Sequence, residues 1–365
     1  MKIKKYSHIK ATLAIARASF KSILRSPSAV VFSLLFPLIF IVVFGFIGGG
    51  GINVDVGLAK TSDTINPVYK TLKQIKVVRF IVEDEKSMNQ DLEKGRIDAV
   101  LNIQKNPNGL PAYFVNVKYT DASKEKGSIL KSVISNIILP INTKANDAPA
   151  PVAELKETTI SGREYKTIDF ILPGQLGFAL LSTGVFGTAF VFISLRLTLV
   201  IKRFFATPVT KASIVLGEAI ARIVFALFTA IFIILVGHFA FGFTLINGVT
   251  TVFNMLILST LGLIVFLGFG LAVSGVAKNE SMVPPIANII TLPQFLLSGT
   301  FFSISAFPTW LQPISRALPL TYLNDALRKV AFEGASLWDV QHQILILLIW
   351  GIGIYAVAVK VFKWE

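Results

Sequence analysis

Glu218 is the only acid inside any long apolar run of this chain, and Arg222 follows it by four residues. A carboxylate in apolar surroundings is the group a proton-coupled carrier uses, and such carriers place several of them there. Four-residue spacing puts an acid and a base on one helix face, so Glu218 and Arg222 read as a local ion pair at the inner edge of a membrane span. His238 lies near the other end of the same run and reads as a packed residue. Other chemistry is missing from the sequence. No GxxxxGK[ST] motif occurs, and the Gly48 to Gly51 run lacks the Lys-Ser or Lys-Thr that a phosphate loop needs. Cysteine is absent and His8, His238 and His342 are far apart, so no metal site is expected. Neither HExxH nor a GxSxG elbow appears. No catalytic residue is expected, and the chain carries no visible energy source of its own.

Six apolar runs must position whatever function remains: Ala29 to Gly48, Leu172 to Ser194, Ile214 to Phe241, Val252 to Ala277, Met282 to Phe302 and Ile344 to Val361. Crossing a bilayer takes about 20 mainly apolar residues as a helix, and lipid satisfies no backbone polar group, so each run is expected to be helical. Hydrophobic residues make up 53% of the chain and charged ones 15%, too few to clothe a soluble protein of this size. The predicted fold is a polytopic α-helical membrane protein with six transmembrane helices and an inserted extracytoplasmic α/β domain. Its expected divisions are 1–28, a cytoplasmic amphipathic helix; 29–50, the first span; 51–169, the extracytoplasmic domain and return linker; and 170–365, spans two to six with an outer segment at 303–341.

The net charge of +14 is concentrated in places that set orientation. Lys2, Lys4, Lys5, Lys10, Arg17, Lys21 and Arg25 precede the first run with no acid among them, and Arg196, Lys202, Arg203 and Lys211 follow the second. In the polar insert, bases and acids nearly balance. Basic loops stay in the cytoplasm, so both termini are expected inside and the insert outside. The basic charge is thus a topology signal, and no nucleic-acid partner is expected. The first run is too long for a signal-peptide core and is expected to be a retained span.

Ile9, Leu13, Ala16, Phe20 and Ile23 recur at helical spacing beside Lys10, Arg17, Lys21 and Arg25. This pattern fits a basic amphipathic helix in the inner headgroup layer or one packed on a partner, broken by Ser26-Pro27-Ser28 before the membrane. In the insert, strands are predicted at Ile52–Leu58, Val77–Val82, Ile97–Ile103 and Ala112–Tyr119. Helices are predicted at Pro67–Gln74, Asp84–Lys94 and Ser123–Ile138, and a flexible return at Asn146–Pro151. The order is β-α-β-α-β-β-α, and without cysteine this domain must be held by its own core.

Several stretches in order along nearly the whole chain resemble the permease subunits of ABC transporters of the ABC-2 type with a large extracytoplasmic domain. They include Leu24-Arg25-Ser26-Pro27 leading into Leu34-Leu35-Phe36-Pro37, Leu92 to Leu101, Asp169-Phe170-Ile171-Leu172-Pro173-Gly174, and Lys202-Arg203-Phe204-Phe205-Ala206-Thr207-Pro208. Further along, Ala277-Lys278-Asn279-Glu280, Leu297-Ser298-Gly299-Thr300-Phe301-Phe302 and Leu318 to Arg328 continue the likeness. One departure is Leu195 to Ile201, where family members usually carry charges and a Glu-x-Gly step and this chain has neither acid nor glycine.

The resemblance implies an exporter in the cytoplasmic (inner) membrane, built as a dimer with a second permease copy or a paralogue. A cytosolic ABC ATPase would bind ATP and magnesium, and this chain would hold no cofactor. It further implies ATPase-coupling contacts at Arg196, Lys202, Arg203, Phe204 and Pro208, with Lys278, Asn279 and Glu280 from the second inner loop. The transport path is expected between subunits, along the second and fifth spans. Gly174, Gly177, Ser182, Gly184 and Gly187 would serve a dimer interface, that path or packing within the chain. Pro284, Pro285 and Pro293 would bend the fifth span unless neighbours satisfy its carbonyls. Few intramembrane charges and 30 phenylalanines favour an amphipathic or lipid-like substrate. Two other classes stay open: a membrane scaffold or sensor that relays conformational change without transport, and a carrier driven by an ion gradient.

Overall fold

A computed structural model describes residues 7–47, 54–82, 85–93, 95–109, 111–143, 152–161 and 166–362. The chain forms two compact units, Met1–Gly48 with Thr167–Glu365, and Gly49–Lys166. The glycine run at 48–51 and the return at 146–151 lie outside the described residues.

Helix α1 (His8–Leu24) starts at Ser7, whose hydroxyl accepts the Lys10 amide, the usual way a serine satisfies a free first-turn donor. Ser26 interrupts the helix, and Pro27 opens α2 (Pro27–Ile47), its fixed φ suiting a first turn. The apolar stripe of α1 packs only along its later part, where Ala16 is buried and Phe20 and Ile23 are half-buried, with Phe20 against Phe228 of a later helix. Ile9 and Leu13 are exposed, and Ile15 and Thr12 lie against Gly217 of that later helix.

In chain order the second unit consists of β1 (Val54–Leu58), α3 (Pro67–Gln74), β2 (Val78–Ile81), α4 (Glu85–Glu93), β3 (Ala99–Lys105), β4 (Tyr113–Thr120), α5 (Lys124–Thr143) and β5 (Ala153–Ile160). The sheet runs β2-β1-β3-β4-β5, with β3 and β4 antiparallel and the other neighbours parallel. Val54, Val56, Ile103, Val115 and Val117 bury one face with Leu72 of α3 and Leu130 and Ile134 of α5. Met88 and Leu92 of α4 cover Val100 on the other. Gly95, at φ 67°, ends α4 in a conformation that suits glycine. Two differences from the sequence reading stand out. Helix α5 runs on to Thr143 with Pro140 inside it, and β5 is a strand that the reading missed.

The first unit resumes with α6 (Thr167–Ser182), a π-helical turn (Thr183–Gly187) and α7 (Thr188–Leu197), a continuous rod of 31 residues. Short α8 (Val200–Phe205) precedes α9 (Lys211–Phe241), α10 (Val249–Val276), α11 (Val283–Leu297), α12 (Gln312–Ala317), α13 (Pro319–Arg328) and α14 (Gln341–Val361). Among the described residues, four helices are long and apolar enough to cross a membrane: 167–197, α9, α10 and α14. Helix α11, with 15 residues, stays unbroken through Pro293, and Pro284 and Pro285 occupy its first turn, where a proline costs no hydrogen bond. Apolar side chains of α6, α7, α9, α10, α11, α13 and α14 share one core.

Candidate functional site

Two regions of the first unit gather the residues that the sequence singled out. In one, α7 ends at Leu197 and the chain turns sharply at Leu199, which stands at φ 57°. Its carbonyl accepts the Arg203 amide, so α8 springs directly from this turn. Arg196, in the last turn of α7, reaches across to donate from Nη2 to the carbonyl of Ala277, the residue that closes α10. Lys278, Asn279 and Glu280 follow at once, all exposed. The Asn279 side chain caps the next turn by accepting the Met282 amide at 3.1 Å, which feeds the chain into α11. Lys202, Arg203 and Phe204 lie on α8, and Pro208 is exposed in the link to α9. Thr210 caps α9, its hydroxyl accepting the Ser213 amide at 3.2 Å. Arg196 therefore links the end of α7, just ahead of α8, to the end of α10.

The second region is the seam where α6 meets α10, α11 and α13. A Cβ at Gly174 would sit 2.6 Å from the Thr300 carbonyl oxygen, and one at Gly177 would sit 2.2 Å from Asn324 Oδ1. At Gly184 it would meet Phe266 of α10 at 2.5 Å, and at Gly187 it would meet Arg222 Nη1 at 2.2 Å. All four glycines thus stand at close approaches within the chain. Ser182 is half-buried just before the π turn. Pro293 is exposed, on a face of α11 with Ile289, Leu292 and Leu296.

Glu218 and Arg222 do not form the expected ion pair. Glu218 accepts the hydroxyl of Ser19 on α1, while Arg222 fills the notch over Gly187, its Nε without a hydrogen-bond partner. Each group packs against a different neighbour of α9, so no direct salt bridge joins them, although the Glu218 charge still acts on Arg222.

Polar residues that the reading passed over hold the seam together. Asn324 donates to the Ser298 carbonyl at 3.1 Å, and Gln294 accepts the Leu320 amide at 3.3 Å. Arg328 donates from Nε and Nη2 to the Phe170 carbonyl at 3.0 and 2.9 Å and also bonds Gly299, with its guanidinium 3.7 Å over the Phe170 ring. One arginine thereby ties the start of α6 and the end of α11 to α13. Gln175 is fully buried, and neither of its amide atoms has a partner. Beside the seam, Phe36 and Phe40 of α2, Phe178 of α6, Phe295 of α11 and Phe301 form an aromatic cluster; Phe178 and Phe295 lie 3.9 Å apart at their centroids. Gln175 and Gln294, as polar side chains inside apolar runs, were the available signals. Asn324 and Arg328 stand in a short helix with no comparable contrast. Among the described residues, no group of three or more potential metal ligands occurs.

Comparison with known proteins gives a consistent outcome. A family model described as ABC-2 family transporter protein matches residues 27–360. ABC transporter G family member 20 of Dictyostelium discoideum is 24% identical over 377 residues, covering 95% of this chain and 50% of that protein. The Probable multidrug ABC transporter permease YbhR of Escherichia coli (strain K12) is 24% identical over 143 residues, covering 39% of this chain and 38% of the relative. The Daunorubicin resistance ABC transporter permease protein DrrB1 of Streptomyces coeruleorubidus is 31% identical over 137 residues, 37% of this chain and 46% of its own. The chain spans half or less of the length of these relatives.

Proposed function

This chain belongs to the ABC-2 family of transporter proteins, and from that premise we propose that it is the membrane-spanning permease subunit of an ATP-driven exporter. ATP is hydrolysed on a separate cytosolic ABC subunit, which also binds the magnesium. The chain crosses the cytoplasmic membrane six times, with α2 and α11 joining the four long apolar helices. Both termini are cytoplasmic, the α/β unit is extracytoplasmic, and a second permease copy or paralogue completes the transporter. The exposed apolar face of α11, with Ile289 at 75% and Leu296 at 57%, suits lipid or that second copy.

One observation carries this reading: the hydrogen bond from Arg196 to Ala277, which makes one mechanical surface of α8 and the exposed 278–280 loop. An ATPase pressing on Arg203 and Pro208 moves both loops together, and through α10 and α11 it reaches the seam lined by α6. A solute of amphipathic or lipid-like character fits the aromatic cluster at Phe178 and Phe295, since rings offer large apolar area with little polar demand. Two relatives carry names that refer to multidrug transport and daunorubicin resistance.

Co-purification of the tagged chain in mild detergent, followed by an ATPase assay, tests the proposal. A stoichiometric P-loop ATPase is expected, and Arg203→Glu is expected to leave expression intact while uncoupling hydrolysis from transport. Recovery of the folded chain alone without ATPase activity would reject the exporter reading. Unchanged transport in Arg203→Glu would remove α8 from the coupling contacts.

A further inference from the structure

Glu218 and Arg222 are a buried acid and a buried base that the proposed coupling route does not use. They stand one turn apart on α9, at the spacing that brings side chains onto one face of a helix. Helix α1 presses on α9 at Gly217, where a Cβ would sit 2.7 Å from Ile15 Cγ2 and 3.0 Å from the Thr12 carbonyl oxygen. Glycine permits that approach, and it brings Ser19, one turn beyond Ile15, to the next residue of α9. The Ser19 hydroxyl donates to Glu218 Oε1, and Phe20 and Phe228 extend the contact with ring centroids 6.3 Å apart. Ser19 is half-buried, and Ala16, one turn before it, is buried.

Two partners therefore compete for one carboxylate. The serine hydroxyl is a neutral donor, whereas a guanidinium forms charge-assisted bonds that are stronger. Arg222 follows Glu218 by four residues and the Glu218 charge acts on it, yet its Nε has no hydrogen-bond partner where it lies over Gly187. Burying a cation away from its acid is costly. The docked helix thus keeps Glu218 on the weaker donor, and the packing of Ile15, Ala16 and Phe20 offsets the loss. We propose that Glu218 is a two-position latch: it accepts from Ser19 while α1 is docked on α9, and turns to the Arg222 guanidinium when α1 lifts. Departure of α1 is matched by a new ion pair along α9, so the helix leaves more readily than its packing alone would allow. The latch concerns α1 and α9 and does not depend on an ATPase partner.

Thiol labelling of the full chain in phosphatidylcholine nanodiscs tests it, since the parent has no cysteine. Ala16→Cys reports the lifting of α1, and Ala18→Cys, at an exposed position on the same helix, gives the reference rate for reagent access. N-Ethylmaleimide is expected to modify Ala16→Cys about tenfold more slowly when Arg222→Met is added, because the lifted state then loses a charge-assisted bond. Glu218→Gln keeps an acceptor for Ser19 and removes the charge. It is expected to slow labelling similarly, and the two changes together are expected to slow it no further than either alone. A hydrogen bond that only joins the two helices predicts faster labelling in Glu218→Gln and no effect of Arg222→Met. Either of those results, or slowing that adds in the double variant, would overturn the latch. Should Arg222→Met fail to fold, Glu218→Gln decides alone: slower labelling supports the latch, and unchanged or faster labelling rejects it.

Discussion

Leu199 holds a left-handed backbone at φ 57°, where a Cβ crowds the neighbouring carbonyl at a cost of about 1–2 kcal/mol. Glycine there would remove that cost while giving back part of it as chain entropy. Leu199→Gly is therefore expected to raise stability by about 0.5–1 kcal/mol. Intrinsic fluorescence during heating reads this directly, because Trp310, Trp338, Trp350 and Trp364 all lie in the segment that follows the α/β unit. An unchanged melting temperature would mean that the turn relaxes without strain. The sequence hinted at this position, since the expected Glu-x-Gly step is missing from Leu195 to Ile201, but side-chain types alone do not reveal φ. Tyr119 supplies a second test at this scale. Burial raises its phenol above the ordinary value, and the Glu157 carboxylate adds to the shift. Because the folded state holds that proton more tightly, the associated stability is complete below about pH 10 and is lost as pH rises further. Protease cleavage within residues 49–166 is thus expected to begin at lower pH in the parent chain than in Tyr119→Phe; coincident onsets would place the alkaline weakness elsewhere.

Helices that end up in the long rods announced themselves through apolar content alone, because lipid and a helical core impose the same requirement on α9, α10 and α14. What hid was whatever depends on neighbours. Strand β5 is a sheet edge with Glu154, Lys156, Glu157, Thr158 and Thr159 exposed, so no alternation marks it. The π turn at 183–187 leaves no compositional trace beyond its glycines, and α11 absorbs Pro293 without a break. The glycines were legible as close-approach positions, but which surface they approach is a property of the packed bundle. Gly184 and Gly353 separate these cases. A Cβ at Gly184 strikes Phe266 and the α10 backbone, whereas one at Gly353 on α14 meets nothing within 4 Å. Gly184→Ala is expected to cost about 1–3 kcal/mol by overpacking, and Gly353→Ala to cost nothing or add up to about 1 kcal/mol from helix propensity. Melting of both variants in one detergent decides the matter, and equal values would show that the α6–α10 crossing is not tight.

Over the whole molecule, the distribution of charge makes a claim that neither packing nor likeness to relatives supplies. Basic residues crowd the start of the chain and the segment from Arg196 to Lys211, while the α/β unit is nearly neutral. On the positive-inside principle the basic ends are expected to face the cytoplasm. The proposed ATPase contact requires Arg196, α8 and the 278–280 loop to lie on that same side. The chain contains no cysteine, so single thiols can be introduced without background. Lys118, exposed on β4, and Lys278, exposed after α10, stand on opposite sides of the membrane if six helices cross it. A membrane-impermeant maleimide is expected to label Lys118→Cys in intact cells and Lys278→Cys only after permeabilisation. Labelling of both without permeabilisation would place the coupling loop outside and defeat the ATPase contact. Protection of both would put the α/β unit in the cytoplasm, requiring an even number of crossings before it. Only labelling of Lys118→Cys alone before permeabilisation leaves Arg203 within reach of a cytosolic ATPase.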